Sequence, residues 1–517
     1  MPLHTIRRHL LLTALLLTPT APATLTAQTP QGPLWSSYTR AAEVLRLGAE
    51  AHGGAAAIRG LTAASFRWEG EDYAPTQGRV PAASWDTAGN GRAVMSDVRV
   101  DIAGGRFAWD REFRFGGGYL NAFRWLGNGR EFLGYNHRPE RGMGGTTYQR
   151  DTTGTQQRRA LSSLGGNMPV LLIRQALERS NTLRHLGRTA REEVISYTTV
   201  DGDPVTLYFD TATHLLTRRE EMGNGSLGDE VNATQFAGYE QIAGFLVPRR
   251  LELRWNGLLT GRQRLVSFAP AAELPDSLFR VPAGYALPAP GGAPAMTRVA
   301  EGVYFVERIG GGYRSLVVDT DEGLVVVDAP LNPDVTGAAI ALIERTLPGR
   351  PIRYVVITHH HGDHIGGIPA YAARGATILA APGSEAYLRR MISVTRTLGR
   401  IGQPPRAPAR EAVFETLSGR RTIGRGARAV EVLDVGPTSH AAAMLAVYVP
   451  AQKLLFQGDL LRINEHGGPV VSPDATRDLD TIVRRFRLDV RTIGAVHGLN
   501  GTMDDLREAL RRGTGAR

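Results

Sequence analysis

The sequence at positions 358–364 reads Thr358-His359-His360-His361-Gly362-Asp363-His364. It directly follows the apolar run 354–357, which is typical of a buried strand, so these polar residues begin where a strand ends and a loop starts. A hydrophobic core cannot hold so many imidazoles and carboxylates unless they have partners or a metal. His359 and His361 lie two apart on extended chain and can point to one side, while Asp363 and His364 turn with the loop and can face a second metal.

Three further polar residues each follow a predicted strand. His440 comes after the strand 430–435, Asp459 ends the run 454–458, and His497 ends the run 493–496. Each residue alone is weak evidence for a site, but together with the motif they make a set of strand-end ligands. Because the chain has no cysteine, a metal must be held by nitrogen and oxygen, and imidazole with carboxylate suits Zn²⁺.

This combination, in this order, resembles the metallo-β-lactamase superfamily over about residues 298–517. The resemblance implies an α/β fold, a four-layer αββα sandwich. It also implies a role for each residue: the first zinc is held by His359, His361 and His440, the second by Asp363, His364 and His497, and Asp459 bridges both. Asp328, which ends the strand 324–327, matches a position under the site that orients a ligand; an aspartate that only caps a turn is an equal alternative.

The family likeness further implies a metal-dependent hydrolase. Two zinc ions about 3.5–4 Å apart lower the pKa of a shared water towards ~7, and the hydroxide between them attacks a carbonyl or phosphoryl centre. Asp363 is the predicted catalytic residue, because it can hold that hydroxide and shuttle its proton.

Details of the ligand set narrow the range of expected substrates. A ligand set with Asp459 and His440 differs from that of the lactamase groups that use a cysteine ligand. It is similar to the ligand set of hydroxyacylglutathione hydrolases of the glyoxalase II type, lactonases and phosphodiesterase-like members. We therefore expect a small-molecule substrate: an ester, thioester, lactone or β-lactam. Two alternatives stay open. One is an iron enzyme similar to persulfide dioxygenases, and the other is a ligand- or partner-binding protein whose N-terminal β domain carries the main role.

The part of the chain before residue 288 has a different pattern of apolar and polar residues. An amphipathic helix is predicted at about 40–52, followed by alternating strand-like segments, a hairpin over 193–209 and a helix over 169–179. We expect residues 33–287 to form a mostly antiparallel β domain with a few helices, which resembles the half-barrel of periplasmic lipoprotein carriers. Residues 288–297, rich in proline and glycine, are the predicted linker to the second domain.

The N-terminus has the features of a signal peptide. Arg7 and Arg8 precede the apolar run 10–17, which is too short to span a bilayer, and Ala27-Gln28 is the expected cleavage point. Removal of residues 1–27 predicts a periplasmic or secreted protein with no stable membrane span; an uncleaved anchor is the alternative. The formal net charge of +10 comes from arginines interspersed with acids, which does not indicate a nucleic-acid partner. The sequence does not indicate an oligomeric state.

Overall fold

The computed structural model describes residues 32–73, 76–80, 91–114, 120–137, 147–225, 228–281, 293–394, 397–398, 411–464 and 468–514. Their strands form three sheets, of thirteen, seven and five strands. The signal peptide predicted for residues 1–27 and the first half of the predicted linker, residues 288–292, lie outside these residues. No helix among the described residues is long and apolar enough to cross a membrane.

The first sheet is antiparallel throughout and has the order β6-β5-β4-β3-β2-β1-β13-β12-β11-β10-β9-β8-β7. Its strands are β1 Ala63–Tyr73, β2 Gly91–Asp101, β3 Arg106–Arg114, β4 Leu120–Gly127, β5 Phe132–Asn136, β6 Thr147–Asp151, β7 Arg184–Arg188, β8 Glu192–Thr198, β9 Pro204–Asp210, β10 Leu216–Gly225, β11 Gly228–Ile242, β12 Phe245–Trp255 and β13 Leu258–Ala271. The strands β6 and β7 follow one another in the chain but lie at opposite edges, so the helices between them carry the chain across the sheet.

Four helices contribute to the core of this sheet, namely α1 Pro33–Ala51, α2 Ala55–Gly60, α3 Thr155–Leu164 and α4 Pro169–Glu178. Leu45 of α1 and Leu172 of α4 share one buried cluster with Phe66 and Trp68 of β1. Because successive side chains of a strand point to opposite faces, the two aromatic rings on β1 reach the same core. The prediction of a mostly antiparallel β domain with a few helices is confirmed.

The second and third sheets belong to the C-terminal part. The seven-stranded sheet contains β14 Ala295–Ala300, β15 Val303–Ile309, β16 Tyr313–Thr320, β17 Gly323–Val327, β18 Ile352–Val356, β19 Thr377–Ala380 and β20 Val413–Thr416. The five-stranded sheet contains β21 Arg420–Ile423, β22 Val430–Gly436, β23 Met444–Val449, β24 Leu454–Phe456 and β25 Thr492–Gly494. The helices are α5 Pro333–Thr346, α6 Gly362–Ile365, α7 Ile368–Ala372, α8 Glu385–Ile392, α9 Pro473–Arg485 and α10 Met503–Thr514.

Three stacked apolar clusters join these layers. Val326 packs with Ile340 of α5, and its neighbour Val325 packs with Phe456 of the facing sheet. On the far side, Leu433 of β22 packs with Leu479 of α9. Helices therefore cover the outer face of each sheet and the two inner faces pack together, which confirms the four-layer αββα sandwich.

The boundary between the two parts differs slightly from the prediction. Strand β14 begins at Ala295, which pairs with Glu307 of β15. The predicted linker of 288–297 and the predicted domain start at 298 therefore placed the boundary three residues too late. A linker read from proline and glycine content does not show where strand pairing resumes.

His52 caps the C-terminal end of α1 and is buried in the first domain. Its Nδ1 lies 2.7 Å from the carbonyl oxygen of Gly48, and its Nε2 lies 3.5 Å from the backbone nitrogen of Leu216. The ring therefore donates from Nδ1, while the lone pair on Nε2 faces the Leu216 N–H. Burial lowers the pKa of His52 from 6.5 to about 4.

We expect this histidine to make the first domain sensitive to mild acid. An unfolded chain binds the proton near pH 6.5 and the folded domain only near pH 4, so stability is present above pH 6.5 and is lost as the pH falls towards 4. At ~1.4 kcal/mol per pKa unit the loss is about 3 kcal/mol. Thermal unfolding of the metal-free protein between pH 7 and 4 measures it, with His52→Gln as the comparison. Equal pH slopes in the two proteins would disprove the assignment.

Candidate metal centre

The loop after β18 carries four of the seven candidate ligands. His359, His360 and His361 are buried, and the short helix α6 then carries Asp363 and His364, whose ligand atoms lie within 4.8 Å of each other. Thr358 fixes the start of this loop, because its backbone N–H and its hydroxyl both donate to the carboxylate of Asp328, at 2.7 and 2.8 Å. The loop thus leaves the sheet in one defined direction.

The three residues predicted for the first metal come together. His359, His361 and His440 each offer a ligand atom, and these atoms lie within 4.8 Å of one another. Nε2 of His359 and Nε2 of His440 are 3.1 Å apart. Two nitrogens bound tetrahedrally to one zinc would lie ~3.3 Å apart, given Zn–N distances of ~2.0–2.1 Å.

The three residues predicted for the second metal also come together. Asp363, His364 and His497 place one ligand atom each within 4.8 Å of one another. Oδ2 of Asp363 lies 3.5 Å from Nε2 of His497 and 3.8 Å from Nε2 of His364. This group is next to the first, and the rings of His359 and His364 are 4.1 Å apart between centroids.

Asp459 lies between the two groups. Its Oδ2 is 3.3 Å from Nε2 of His364, 3.5 Å from Nε2 of His497 and 3.6 Å from Nε2 of His440. Gly458 precedes it with a φ of +71°, and a Cβ there would lie 3.0 Å from the hydroxyl oxygen of Thr358. Glycine suits both the left-handed backbone and the close approach that bring this carboxylate to the site.

The donor set fits a pair of zinc ions. All seven residues offer imidazole nitrogen or carboxylate oxygen, the ligands that Zn²⁺ accepts in the absence of cysteine. Two of the candidate donor atoms, Nδ1 of His361 and Oδ1 of Asp459, are buried and make no hydrogen bond. Buried polar atoms without partners are uncommon in native proteins, and a bound cation would satisfy them.

The charges of the metal-free site favour a cation. Burial lowers the pKa of His359 and His361, so both rings are neutral and keep a lone pair for a metal. Burial alone would also lower the pKa of His364, but the carboxylates of Asp459, Asp363 and Asp328 outweigh it and raise that pKa well above the ordinary value. The carboxylates therefore attract positive charge, and a metal that replaces it must displace a proton from His364.

Asp328 supports one ligand of each metal group. Its Oδ2 is 2.9 Å from Nδ1 of His364 and accepts the hydroxyl of Thr358, whose oxygen is 3.0 Å from Nδ1 of His359. Both rings then carry their proton on Nδ1 and turn Nε2 towards the candidate metals. The sequence left two roles open for Asp328, orienting a ligand or capping a turn. Its contacts serve both, since it also accepts the Thr358 N–H.

Several residues at the site were not found from sequence. Tyr313 of β16 places its hydroxyl 3.3 Å from Oδ2 of Asp363, and its ring packs against His497. Gln77 and Gly78 come from the first domain and contact Asp363, His360 and His361. His360, which fills the variable slot of the motif, faces Gly78 and belongs to neither metal group.

Comparison with known proteins identifies the C-terminal part. Residues 309–497 match the family model described as the metallo-beta-lactamase superfamily, and this range holds all seven candidate ligands. The hydroxyacylglutathione hydrolase of Stenotrophomonas maltophilia is 34% identical over 108 residues, 20% of this chain and 37% of that protein. The lactamase-like protein aptB of Emericella nidulans is 27% identical over 259 residues, 50% of this chain and 67% of that protein. The chain thus spans only part of the length of these curated relatives.

Solved structures of metallo-β-lactamases are also similar. The mono-zinc form of FIM-1 from Pseudomonas aeruginosa is 20% identical with a TM-score of 0.33, covering 44% of this chain and 96% of that one. The enzyme from Pontibacter korlensis is 20% identical with a TM-score of 0.34, covering 43% and 100%. Together with the αββα layers and the strand-end ligands already described, the sequence comparison leads to one finding: residues 309–497 of this chain match the metallo-β-lactamase superfamily.

Proposed function

We propose that this protein is an exported, metal-dependent hydrolase that holds two zinc ions and cleaves a small-molecule ester, thioester, lactone or β-lactam. The observation that carries the proposal is the arrangement of seven ligands in two groups of three with Asp459 between them. A protein that only binds a ligand through its first domain has no need of this complete set.

The chemistry follows from the residues around the metals. When bound, two zinc ions supply a water of lowered pKa at neutral pH and polarise the carbonyl oxygen of the substrate. Burial opposes a charge on Asp363, but the charge of His364 and a hydrogen bond from His497 keep the pKa of Asp363 below its ordinary range. An ionised Asp363 can accept a hydrogen bond from the attacking water and orient it. Burial raises the pKa of Tyr313 well above 10, so its hydroxyl stays protonated and donates to Asp363.

Among the four substrate classes we place the thioester first. The relative from Stenotrophomonas maltophilia is named for the hydrolysis of hydroxyacylglutathione, a thioester. The relative from Emericella nidulans is named only as lactamase-like, which keeps the β-lactam among the candidates.

A hydrolysis screen tests this function. Zinc-loaded full-length protein is assayed against one representative of each class, and its mass is measured to learn whether residues 1–27 have been removed. We expect turnover of at least one class, and no turnover by His359→Ala, which lacks a ligand of the first metal. A protein that holds two zinc ions and hydrolyses none of the four would contradict the proposal. Iron in the purified protein together with oxygen consumption on a persulfide would replace it with the dioxygenase alternative.

A further inference from the structure

The five residues Thr76-Gln77-Gly78-Arg79-Val80, here called segment 76–80, lie in the connection between β1 and β2 of the first domain. They nevertheless reach the metal centre of the second domain. Gly78 is buried there, and Thr76 and Gln77 are half-buried. A connection that leaves its own sheet and becomes buried against another domain's site is unlike an ordinary exposed hairpin loop.

Gly78 contacts the motif through its backbone. Its carbonyl oxygen lies 2.9 Å from Nε2 of His360 and 3.0 Å from Nε2 of His361. A carbonyl only accepts hydrogen bonds, so both rings carry a proton on Nε2. The lone pair of His361 is therefore on Nδ1, the buried atom without a hydrogen-bond partner in the first metal group.

The histidines of the centre are thus oriented from two different domains. His359 and His364 are held on their Nδ1 side by Thr358 and Asp328, which belong to the second domain. His361 is held on its Nε2 side by Gly78 of the first domain. A ligating histidine commonly donates its other ring N–H to a carboxylate or backbone carbonyl, and that contact fixes the ring for the metal.

Gln77 contacts the second metal group through its side chain. Its Nε2 donates to Oδ1 of Asp363 at 2.7 Å, which leaves Oδ2 facing His497 and Tyr313. The amide is neutral, so it fixes the carboxylate without competing with a cation for its charge. Gln77 thereby fixes Oδ1 of Asp363, while Oδ2 faces the second metal group.

Backbone contacts hold segment 76–80 in this place. The N–H of Gly362 donates to the carbonyl of Thr76 at 3.1 Å, and the N–H of Ala442 donates to the carbonyl of Arg79 at 2.7 Å. Nε of Arg79 donates to the carbonyl of Thr438 at 2.8 Å. The segment therefore ties the loop of His361 and Asp363 to the loop of His440.

We propose that segment 76–80 is a positioning element of the metal centre: the Gly78 carbonyl sets the ring of His361, and the Gln77 amide sets the carboxylate of Asp363. The inference rests on the proposed metal-dependent function, and it gives the first domain a role inside the site of the second. Gln77 and Gly78 act on the ligands and take no part in the reaction themselves.

Cobalt(II) titration of the metal-free full-length protein tests this role, because it reports affinity and, through the visible spectrum, ligand geometry. We expect Gln77→Ala to lower the affinity for one of the two cobalt ions about ten-fold and to shift the visible spectrum. Ten-fold is the low end of the affinity loss caused by removing a residue that supports a metal ligand. Gln77→Glu should also shift the spectrum, since an ionised glutamate has no N–H to donate to Asp363. Val80→Ser is the matched control, because Val80 is 60% exposed in the same segment, and it should bind cobalt like the wild type.

Two results would overturn the proposal. One is wild-type cobalt affinity and spectrum in both Gln77 variants. The other is faster substrate turnover in Gln77→Ala with unchanged cobalt binding, which would make the segment an obstruction. The proposed function fails separately: a wild-type protein that binds two cobalt ions, responds to Gln77 substitution and hydrolyses no substrate would keep the positioning role and lose the hydrolase.

Discussion

Asp459→Ala is expected to leave the purified full-length protein with less than one zinc ion per chain and to abolish most of its hydrolytic activity. Oδ2 of Asp459 is within 3.6 Å of a ring nitrogen of His364, His440 and His497, so one carboxylate serves both metal groups. Its removal takes a ligand from each ion and leaves the cations close together without the negative charge between them. We expect a rate loss on the order of 10³, the upper end for one electrostatic group.

Asp363→Ala is the comparison for this prediction. Asp363 belongs to one metal group only, so this variant should keep more zinc than Asp459→Ala, while it loses activity beyond its metal loss because it also orients the water. Asp489→Ala, which removes an exposed carboxylate paired with Lys453, controls for loss of charge alone. Zinc content is measured by elemental analysis after identical dialysis. Equal zinc in the Asp459, Asp363 and wild-type proteins would show that Asp459 does not bridge.

Asp328→Asn is expected to weaken zinc binding about 100-fold, the upper end for a residue that supports metal ligands. The carboxylate of Asp328 accepts from the hydroxyl and the N–H of Thr358 and from Nδ1 of His364, all of them buried. In Asp328→Asn an amide NH₂ takes the place of one carboxylate oxygen, and an NH₂ group cannot accept the hydrogen bonds that this oxygen accepts. His364 then loses its fixed orientation, and so does His359, which is held through Thr358. The unmatched buried groups should also cost about 3 kcal/mol of stability.

Asparagine is the informative substitution at this position. Asp328 has a φ of +65°, a left-handed conformation that asparagine tolerates and alanine does not. Asp328→Asn therefore removes the charge without adding backbone strain. Zinc affinity comes from competition with a chelator, and stability from thermal unfolding of the metal-free protein. If stability falls while zinc affinity stays at the wild-type value, Asp328 only caps the turn.

The metal centre could be predicted from sequence because its candidate ligands are close together in the chain or follow predicted strands. Four of the seven ligands lie within 359–364, and His440, Asp459 and His497 each follow an apolar run. Apolar runs predict buried strands, and adjacent strands of a sheet bring their ends to one edge. The structure brings the seven residues together from two sheets that pack face to face, because β18 lies in the seven-stranded sheet and β22, β24 and β25 lie in the five-stranded sheet.

The contribution of the first domain was not readable from its residues. Gln77 is 286 residues away from Asp363 in the chain, and neither a glutamine nor a glycine carries chemistry that marks a site. The available signal was length. The connection from Tyr73 to Gly91 is far longer than an ordinary hairpin loop, and long connections in compact domains are commonly functional.

The exact ends of helices are less predictable from the sequence pattern than their presence. The helix predicted at about 40–52 begins earlier, at Pro33. Apolar periodicity does not predict its first two turns, because residues there such as Leu34 are exposed. Proline in the first turn was the overlooked start signal, since its fixed φ suits that position. The layers themselves were predictable, because strands alternating with helices leave few ways to bury both faces of a sheet.

Zinc titration of the metal-free full-length protein tests the central claim most directly. Bound zinc is counted after separation from free metal, and circular dichroism is recorded before and after. The two ligand groups and the shared Asp459 predict saturation at two zinc ions per chain. A chain that keeps its fold and remains free of zinc would contradict the account of this site.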